Sequence, residues 1–149
     1  MKQSVPRILV VDDDKNILET LRVALEANGY VVDTALNGQE AIQKSEATFF
    51  NLALLDIKLP DMKGTELLTK LEDATPRMRK VVITGYPSFQ NAVDALNKNA
   101  DAYLMKPVDV EKLLNIVRVQ LEMQAEDRKY SEAKVTEFIE TRVKEIAEA

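Results

Sequence analysis

Short, wholly apolar runs alternate along this chain with longer segments whose apolar residues recur every three to four positions. Short β-branched runs are typical of strands buried on both faces, and the periodic segments are typical of amphipathic helices. The predicted strands are residues 7–11, 30–35, 52–55, 80–83 and 102–105. Helices are predicted over 15–28 and about 39–47, around Leu67–Leu71, after Ser88 and after Asp109. The alternation predicts an α/β fold, doubly wound, with a parallel sheet between two layers of helices.

The last predicted helix continues past the apolar stripe that would pack on the sheet, which ends at Leu121. From Glu122 to Ala149 there is neither Gly nor Pro, and apolar periodicity resumes only at Val135 after a polar stretch. We therefore predict a domain over residues 1–121 and a C-terminal helical extension or linker over residues 122–149. The extension is either a solvated helix or a helix that dimerises or leads to an output module.

The absence of two residue types excludes several kinds of chemistry. The 149 residues contain no cysteine and no histidine. The chain therefore has no disulfide or thiolate zinc site, no histidine-ligated metal, no Ser-His-Asp triad and no phosphohistidine. If it handles phosphoryl groups, it receives them on another residue type.

Charge and hydropathy restrict the partners. The formal net charge is −5, and no basic recognition helix is visible, so we expect no direct nucleic-acid binding. No apolar run approaches the ~20 residues of a membrane span, and the first seven residues have no apolar stretch of signal-peptide length. A cytoplasmic location without a membrane partner is the expectation.

Polar residues follow or close four of the predicted strands. They are Asp12 and Asp13 after the first, Asp56 after the third, Thr84 after the fourth, and Tyr103 and Lys106-Pro107 in and after the fifth. The carboxyl ends of parallel strands share one edge of the sheet, so these groups would meet in one crevice. Three carboxylates repel one another unless a cation lies among them, and ligands that are all oxygen favour Mg²⁺, with Mn²⁺ possible.

The same crevice suits phosphoryl chemistry. The Asp56 carboxylate can attack phosphorus to form an acyl phosphate, the Thr84 hydroxyl can donate to a phosphoryl oxygen, and Lys106 can neutralise its charge. A cis peptide bond before Pro107 would aim the lysine inward. Taken singly, each residue has a simpler explanation, such as a helix cap, a strand-ending turn or a solvated lysine.

Four segments, in order, closely resemble the receiver domain of two-component response regulators. They are residues 8–14, 54–64, 81–85 and 101–107, and the likeness covers roughly Arg7 to Leu121. The stretch from Thr84 to Pro107 is most similar to nitrogen-regulation-type receivers. The resemblance implies a flavodoxin-like (βα)5 fold with strand order 2-1-3-4-5.

The resemblance also implies roles for individual residues. Asp56 would be the phosphoacceptor, and Lys106 would pair with the phosphoryl group. Asp12, Asp13, Asp56 and the main-chain carbonyl of Lys58 would hold Mg²⁺.

On phosphorylation, Thr84 would move toward the phosphoryl group and Tyr103 would swing inward, which changes the surface formed by helix 4, strand 5 and helix 5. The implied partners are a sensor histidine kinase, an output domain or partner protein, and a second copy bound through that surface or the C-terminal helix. Bulky Lys58 and Tyr86 imply an acyl phosphate that lasts minutes or more.

The expected function is a switch and not an enzyme, apart from phosphotransfer to and hydrolysis from its own aspartate. The alternative is a stand-alone adaptor whose phosphorylated form binds a partner protein without an attached output domain. A phosphatase with an aspartate nucleophile would need an acidic residue where Lys58 stands.

Overall fold

The computed structural model describes residues 5–71, 77–85, 93–95 and 100–148. Its strands are β1 (Arg7–Val11), β2 (Val31–Ala35), β3 (Leu52–Asp56), β4 (Arg79–Thr84) and β5 (Ala102–Met105). Its helices are α1 (Lys15–Ala27), α2 (Gly38–Ala47), α3 (Gly64–Lys70), α4 (helical residues 93–95) and α5 (Val110–Glu148). The predicted cap Ser88 and Tyr86 lie outside the described residues.

The five strands form one parallel sheet in the order β2-β1-β3-β4-β5. This confirms the predicted doubly wound, flavodoxin-like fold. The order places β1 beside β3, and β3 beside β4, so that the residues following these three strands emerge next to one another. Between β1 and β3, the chain reverses its direction of winding, and the crevice at that position is where such folds bind ligands.

Alternation along the strands divides the core into two layers. Leu9 and Val11 of β1 belong to the cluster that packs against α2 and α3, whereas Ile8 and Val10 belong to the cluster that packs against α1 and α5. Every residue of β3 is buried. A strand covered on both faces has little freedom to shift, which fixes the position of Asp56 at its end.

Local hydrogen bonds set the start of two helices that border the crevice. The Asp14 carboxylate accepts from the N–H of Asn16 at 2.8 Å, so Asp14 caps α1. Asn37 caps α2 by accepting from the N–H of Glu40 at 2.8 Å. Both helices therefore begin at the carboxyl edge of the sheet.

Helix α5 runs for 39 residues and carries the chain away from the sheet. Its contacts with the sheet extend past Leu121, because the Gln124 side chain donates to the main-chain carbonyls of Asn51 at 2.8 Å and Arg77 at 2.7 Å. Further along, Asp127 accepts from Arg79 at 2.8 Å. From Lys129 to Glu148 every described residue of α5 is exposed.

Among the described residues, no helix has both the length and the apolar character needed to cross a membrane. The mean hydropathy of the whole chain is −0.21.

Candidate phosphoacceptor and metal site

Asp12 and Asp56 lie side by side at the carboxyl edge of the sheet. Asp12 directly follows β1 and is held by its N–H, which donates to the carbonyl of Ala35 at 3.1 Å. Asp56 is the last residue of β3, the strand adjacent to β1. The two residues are only 3% and 7% exposed. Both carboxyl groups are thus removed from bulk water and share one small space.

The Lys106 ammonium joins the two carboxylates. Its Nζ donates to Asp12 Oδ2 and to Asp56 Oδ2, at 3.0 Å in each case. The Lys106 N–H donates to the carbonyl of Thr84 at 2.7 Å, which anchors this segment to the end of β4, and the Lys106–Pro107 bond is cis. The lysine therefore approaches the crevice from the β4–β5 side of the sheet.

Burial and pairing shift the pKa values of two of these groups. Burial raises the pKa of the Asp12 carboxyl, and hydrogen bonds from the Asp14 N–H and from Lys106 only partly offset this effect. Burial alone would lower the pKa of the Lys106 ammonium, but its hydrogen bonds to Asp12 and Asp56 outweigh burial and raise that pKa overall. Lys106 is accordingly a cation at physiological pH, and Asp12 bears the cost of ionising in a buried place.

The acidic residues are suited to a divalent cation. One carboxylate oxygen from each of Asp12, Asp13 and Asp56 lies within 4.8 Å of the others. Asp13 is exposed, so water can complete the coordination from the solvent side. Hard oxygen ligands from few carboxylates, together with water, are what Mg²⁺ prefers. The residues present thus fit the predicted cofactor.

The loop after Asp56 turns tightly beneath the site. The Lys58 N–H donates to Asp56 Oδ1 at 3.1 Å, and the Gly64 N–H donates to the carbonyl of Ile57 at 2.6 Å. A Cβ atom on Gly64 would touch the Asp56 carbonyl oxygen and lie 2.6 Å from the Ile57 Cα. Only glycine permits this close approach. The sequence pattern did not predict this contact of Gly64 with the candidate acceptor.

Thr84 and Tyr103 lie on neighbouring strands. Thr84 ends β4 and is completely buried, one residue beyond Ile83, the register partner of Asp56. Tyr103 of β5 packs against the core layer that contains α2 and α3. The Tyr103 hydroxyl is buried, and among the described residues it has no hydrogen-bond partner. A buried donor without a partner is costly, and this one lies in a strand next to the candidate switch residue.

The fold and the acidic crevice together define the class of the protein: a doubly wound α/β domain with clustered carboxylates at the carboxyl edge of its sheet. A family model described as the response regulator receiver domain matches residues 8–118. The chain belongs to the receiver domain family of response regulators.

Individual relatives agree with this assignment. A receiver domain protein (CheY-like) from Methanospirillum hungatei JF-1 is 49% identical, with a TM-score of 0.80 over 83% of this chain and 99% of that one. The beryllofluoride-activated NtrC4 receiver domain dimer is 36% identical, with a TM-score of 0.74 over 79% of this chain and 98% of that one. The similarity to nitrogen-regulation-type receivers is thereby confirmed.

The alginate biosynthesis transcriptional regulatory protein AlgB of Pseudomonas syringae pv. tomato is 36% identical over 118 residues. That alignment covers 79% of this chain but 26% of AlgB. The chain thus spans about a quarter of the length of this curated relative.

Proposed function

We propose that this chain is a phosphorylation switch that accepts a phosphoryl group on Asp56. The observation that carries the proposal is the Lys106 ammonium, which lies 3.0 Å from a carboxylate oxygen of Asp56 and 3.0 Å from one of Asp12. A buried carboxylate at a strand end, beside a fixed ammonium and two further carboxylates, suits the capture of a phosphoryl group better than any purely structural task.

In the proposed reaction, an Asp56 carboxylate oxygen attacks the phosphorus of a phosphohistidine on a sensor histidine kinase. A P–O bond forms, the P–N bond breaks, and its electron pair leaves with the imidazole. In the second step of the cycle, water attacks phosphorus and the acyl phosphate bond breaks. That step releases inorganic phosphate and a proton and restores the Asp56 carboxylate. The chain turns over no other substrate and acts only on its own aspartate.

Asp12, Asp13, Asp56 and the Lys58 main-chain carbonyl are the proposed ligands of Mg²⁺. The bound ion would offset negative charge on the phosphoryl oxygens as they approach the carboxylates. Lys106 would contact the same oxygens from the opposite side. Mn²⁺ satisfies the same ligand chemistry.

The proposed response passes through Thr84 and Tyr103. A phosphoryl group on Asp56 would attract the Thr84 hydroxyl, and Tyr103 would fill the space that Thr84 leaves. The Tyr103 hydroxyl, which is buried and has no hydrogen-bond partner among the residues that the structure describes, supports this step, since a change around β4 would offer it one. The changed surface would be that of α4, β5 and α5.

The proposed partners are a sensor histidine kinase and an output domain or partner protein. Residues 1–121 would form the receiver and 122–149 the helical extension. A run of exposed apolar side chains on α5 supports dimerisation through the extension: Tyr130, Val135, Phe138, Ile139, Val143 and Ile146. Such a stripe on one helix buries its apolar area only against another surface. The cytoplasm, where sensor kinases present their phosphohistidine, is the proposed location.

Incubation of the intact chain with phosphoramidate tests the proposal. We expect one phosphoryl group per chain in intact-mass spectra when Mg²⁺ is present. Labelling should cease when the metal is chelated, because the carboxylates then repel the incoming anion. Labelling at an equal rate in chelator would contradict the proposed role of the acidic residues.

A further inference from the structure

Asp61 connects the loop beneath the site to a helix on the other side of the crevice. Its carboxylate accepts from the N–H of Gly38 through Oδ1 and from the N–H of Gln39 through Oδ2, at 2.9 Å in each case. These are the first two residues of α2, 22 and 23 positions earlier in the chain. The helix's own cap, Asn37, serves only the N–H of Glu40.

A second contact reinforces this connection. A Cβ atom on Gly38 would lie 2.6 Å from the Cγ of Met62, so the Met62 side chain occupies the space that glycine leaves open. Met62 also packs against the core layer of α2 and α3. Two consecutive residues of the loop, one through charge and one through packing, thus hold the start of α2.

The held loop is short and closed. Lys58 and Lys63 pair as an antiparallel bridge, and the Gly64 N–H donates to the carbonyl of Ile57. Asp61 lies between the two bridged residues in the chain. The bridge and the two intervening residues, Leu59 and Pro60, connect Asp61 to Lys58.

We propose that Asp61 is a positioning residue for the metal site. By holding the loop tip on the start of α2, it keeps the Lys58 main chain where its carbonyl can serve as a Mg²⁺ ligand. The inference deepens the proposed function and rests on it. Asp61 touches neither metal nor phosphoryl group, and it acts through the loop.

The negative charge of Asp61 favours its contact with the start of α2. The N–H groups of Gly38 and Gln39 lower the pKa of the Asp61 carboxyl, which therefore remains ionised at physiological pH. A carboxylate at a helix start also interacts favourably with the partial positive charge there. The connection is thus preformed before any metal binds.

Calorimetric titration of the folded chain with MgCl2 tests this proposal without relying on activity. Asp61→Ala removes both hydrogen bonds, and we expect its Kd for Mg²⁺ to rise on the order of 10-fold, as is usual for residues that orient metal ligands. Asp61→Asn keeps one acceptor oxygen, so its Kd for Mg²⁺ should lie between those of the wild-type chain and Asp61→Ala. Phosphoramidate labelling at saturating Mg²⁺ should return to the wild-type rate, because the acceptor and Lys106 are intact.

Asn37→Ala is the matched control, since it loosens the start of the same helix from within and leaves Asp61 in place. It should leave the Kd for Mg²⁺ unchanged. Amide exchange of residues 57–63 in chelator should accelerate in Asp61→Ala and not in Asn37→Ala.

Two outcomes would overturn the inference: a wild-type Kd in folded Asp61→Ala, or an equal rise in Asn37→Ala. A wild-type chain that binds no Mg²⁺ and takes no phosphoryl group would instead overturn the proposed function. The two failures are therefore distinct.

Discussion

The Lys106 ammonium lies 3.0 Å from Asp56 Oδ2 although 50 residues separate the two in the chain. Parallel pairing of β3, β4 and β5 brings them together, because each strand delivers its following residue to the same edge. The ammonium also contacts Asp12, so one side chain partly balances two buried carboxylates.

Replacing Lys106 with methionine keeps the length of the side chain and removes its charge. We expect labelling of Asp56 by phosphoramidate to slow about 100-fold, as when one fixed donor is lost from a reacting site. The Kd for Mg²⁺ should fall, because the ammonium no longer repels the cation. Lys112→Met, which alters an exposed lysine of α5, is the control. Unchanged labelling in Lys106→Met would contradict the role assigned to the ammonium.

Asp12 should lower stability when no metal is bound. Because its pKa is raised, the folded chain holds this proton more tightly than the unfolded chain. Stability contributed by the protonated form is therefore lost as pH rises above the ordinary carboxyl pKa of about 4. In chelator at pH 7, Asp12→Asn should increase the free energy of unfolding, because the buried carboxylate no longer has to ionise. Urea titration measures this, and a less stable Asp12→Asn would contradict the account.

Asp101 should stabilise the folded chain at neutral pH, in contrast to Asp12. It accepts from Arg77, Arg79 and the Lys80 N–H, and despite burial these groups lower its pKa. The ionised Asp101 carboxylate therefore contributes to the free energy of unfolding above a pH of about 4. This contribution is lost as the pH falls through the lowered pKa of Asp101. Asp101→Asn should cost on the order of 2 kcal/mol at pH 7, since it leaves buried donors poorly paired. In urea titrations the difference from wild type should shrink on acidification, and a constant difference would contradict this cause.

The first turns of the extension should stabilise the receiver, because they pack on it. A chain cut after Leu121 loses the bonds of Gln124 to Asn51 and Arg77, whereas a chain cut after Arg128 keeps them. We expect the free energy of unfolding of the shorter chain to be lower by about 2 kcal/mol. The longer chain should match the full chain in thermal unfolding. Gln124→Ala in the full chain should reproduce most of the loss. Equal stability of both truncated chains would contradict a stabilising role for the Gln124 bonds.

The exposed apolar stripe predicts self-association. Phe138→Glu and Ile139→Glu place charge in the stripe and should shift the chain toward monomer in sedimentation velocity, with and without beryllofluoride. Lys144→Glu, on the same exposed helix, controls for added negative charge. A monomeric wild-type chain in both conditions would contradict dimerisation through the extension.

The sequence predicted the strands and the crevice because these follow from periodicity and from the residues adjacent to strand ends, whereas the strand order was implied by the resemblance to receiver domains. It did not predict the contacts of Asp61, Gly64 and Gln124. Gln124 bonds to Asn51 across 73 residues, and Asp61 bonds to Gly38 across 23. Such contacts depend on how helices and loops pack on the sheet, which no local period encodes. Gln124 nevertheless continues the spacing of Val117 and Leu121 by one more turn, and a polar residue in line with an apolar stripe is a detectable sign of such a contact.

The central claim is that Asp56 itself carries the phosphoryl group. The wild-type chain can be labelled with phosphoramidate and Mg²⁺, reduced with borohydride to convert the acyl phosphate to homoserine, digested and sequenced by mass spectrometry. We predict homoserine at position 56 in the wild-type chain, and no labelling of folded Asp56→Asn under the same conditions. Homoserine at position 12 or 13, or stoichiometric labelling of Asp56→Asn, would contradict the claim.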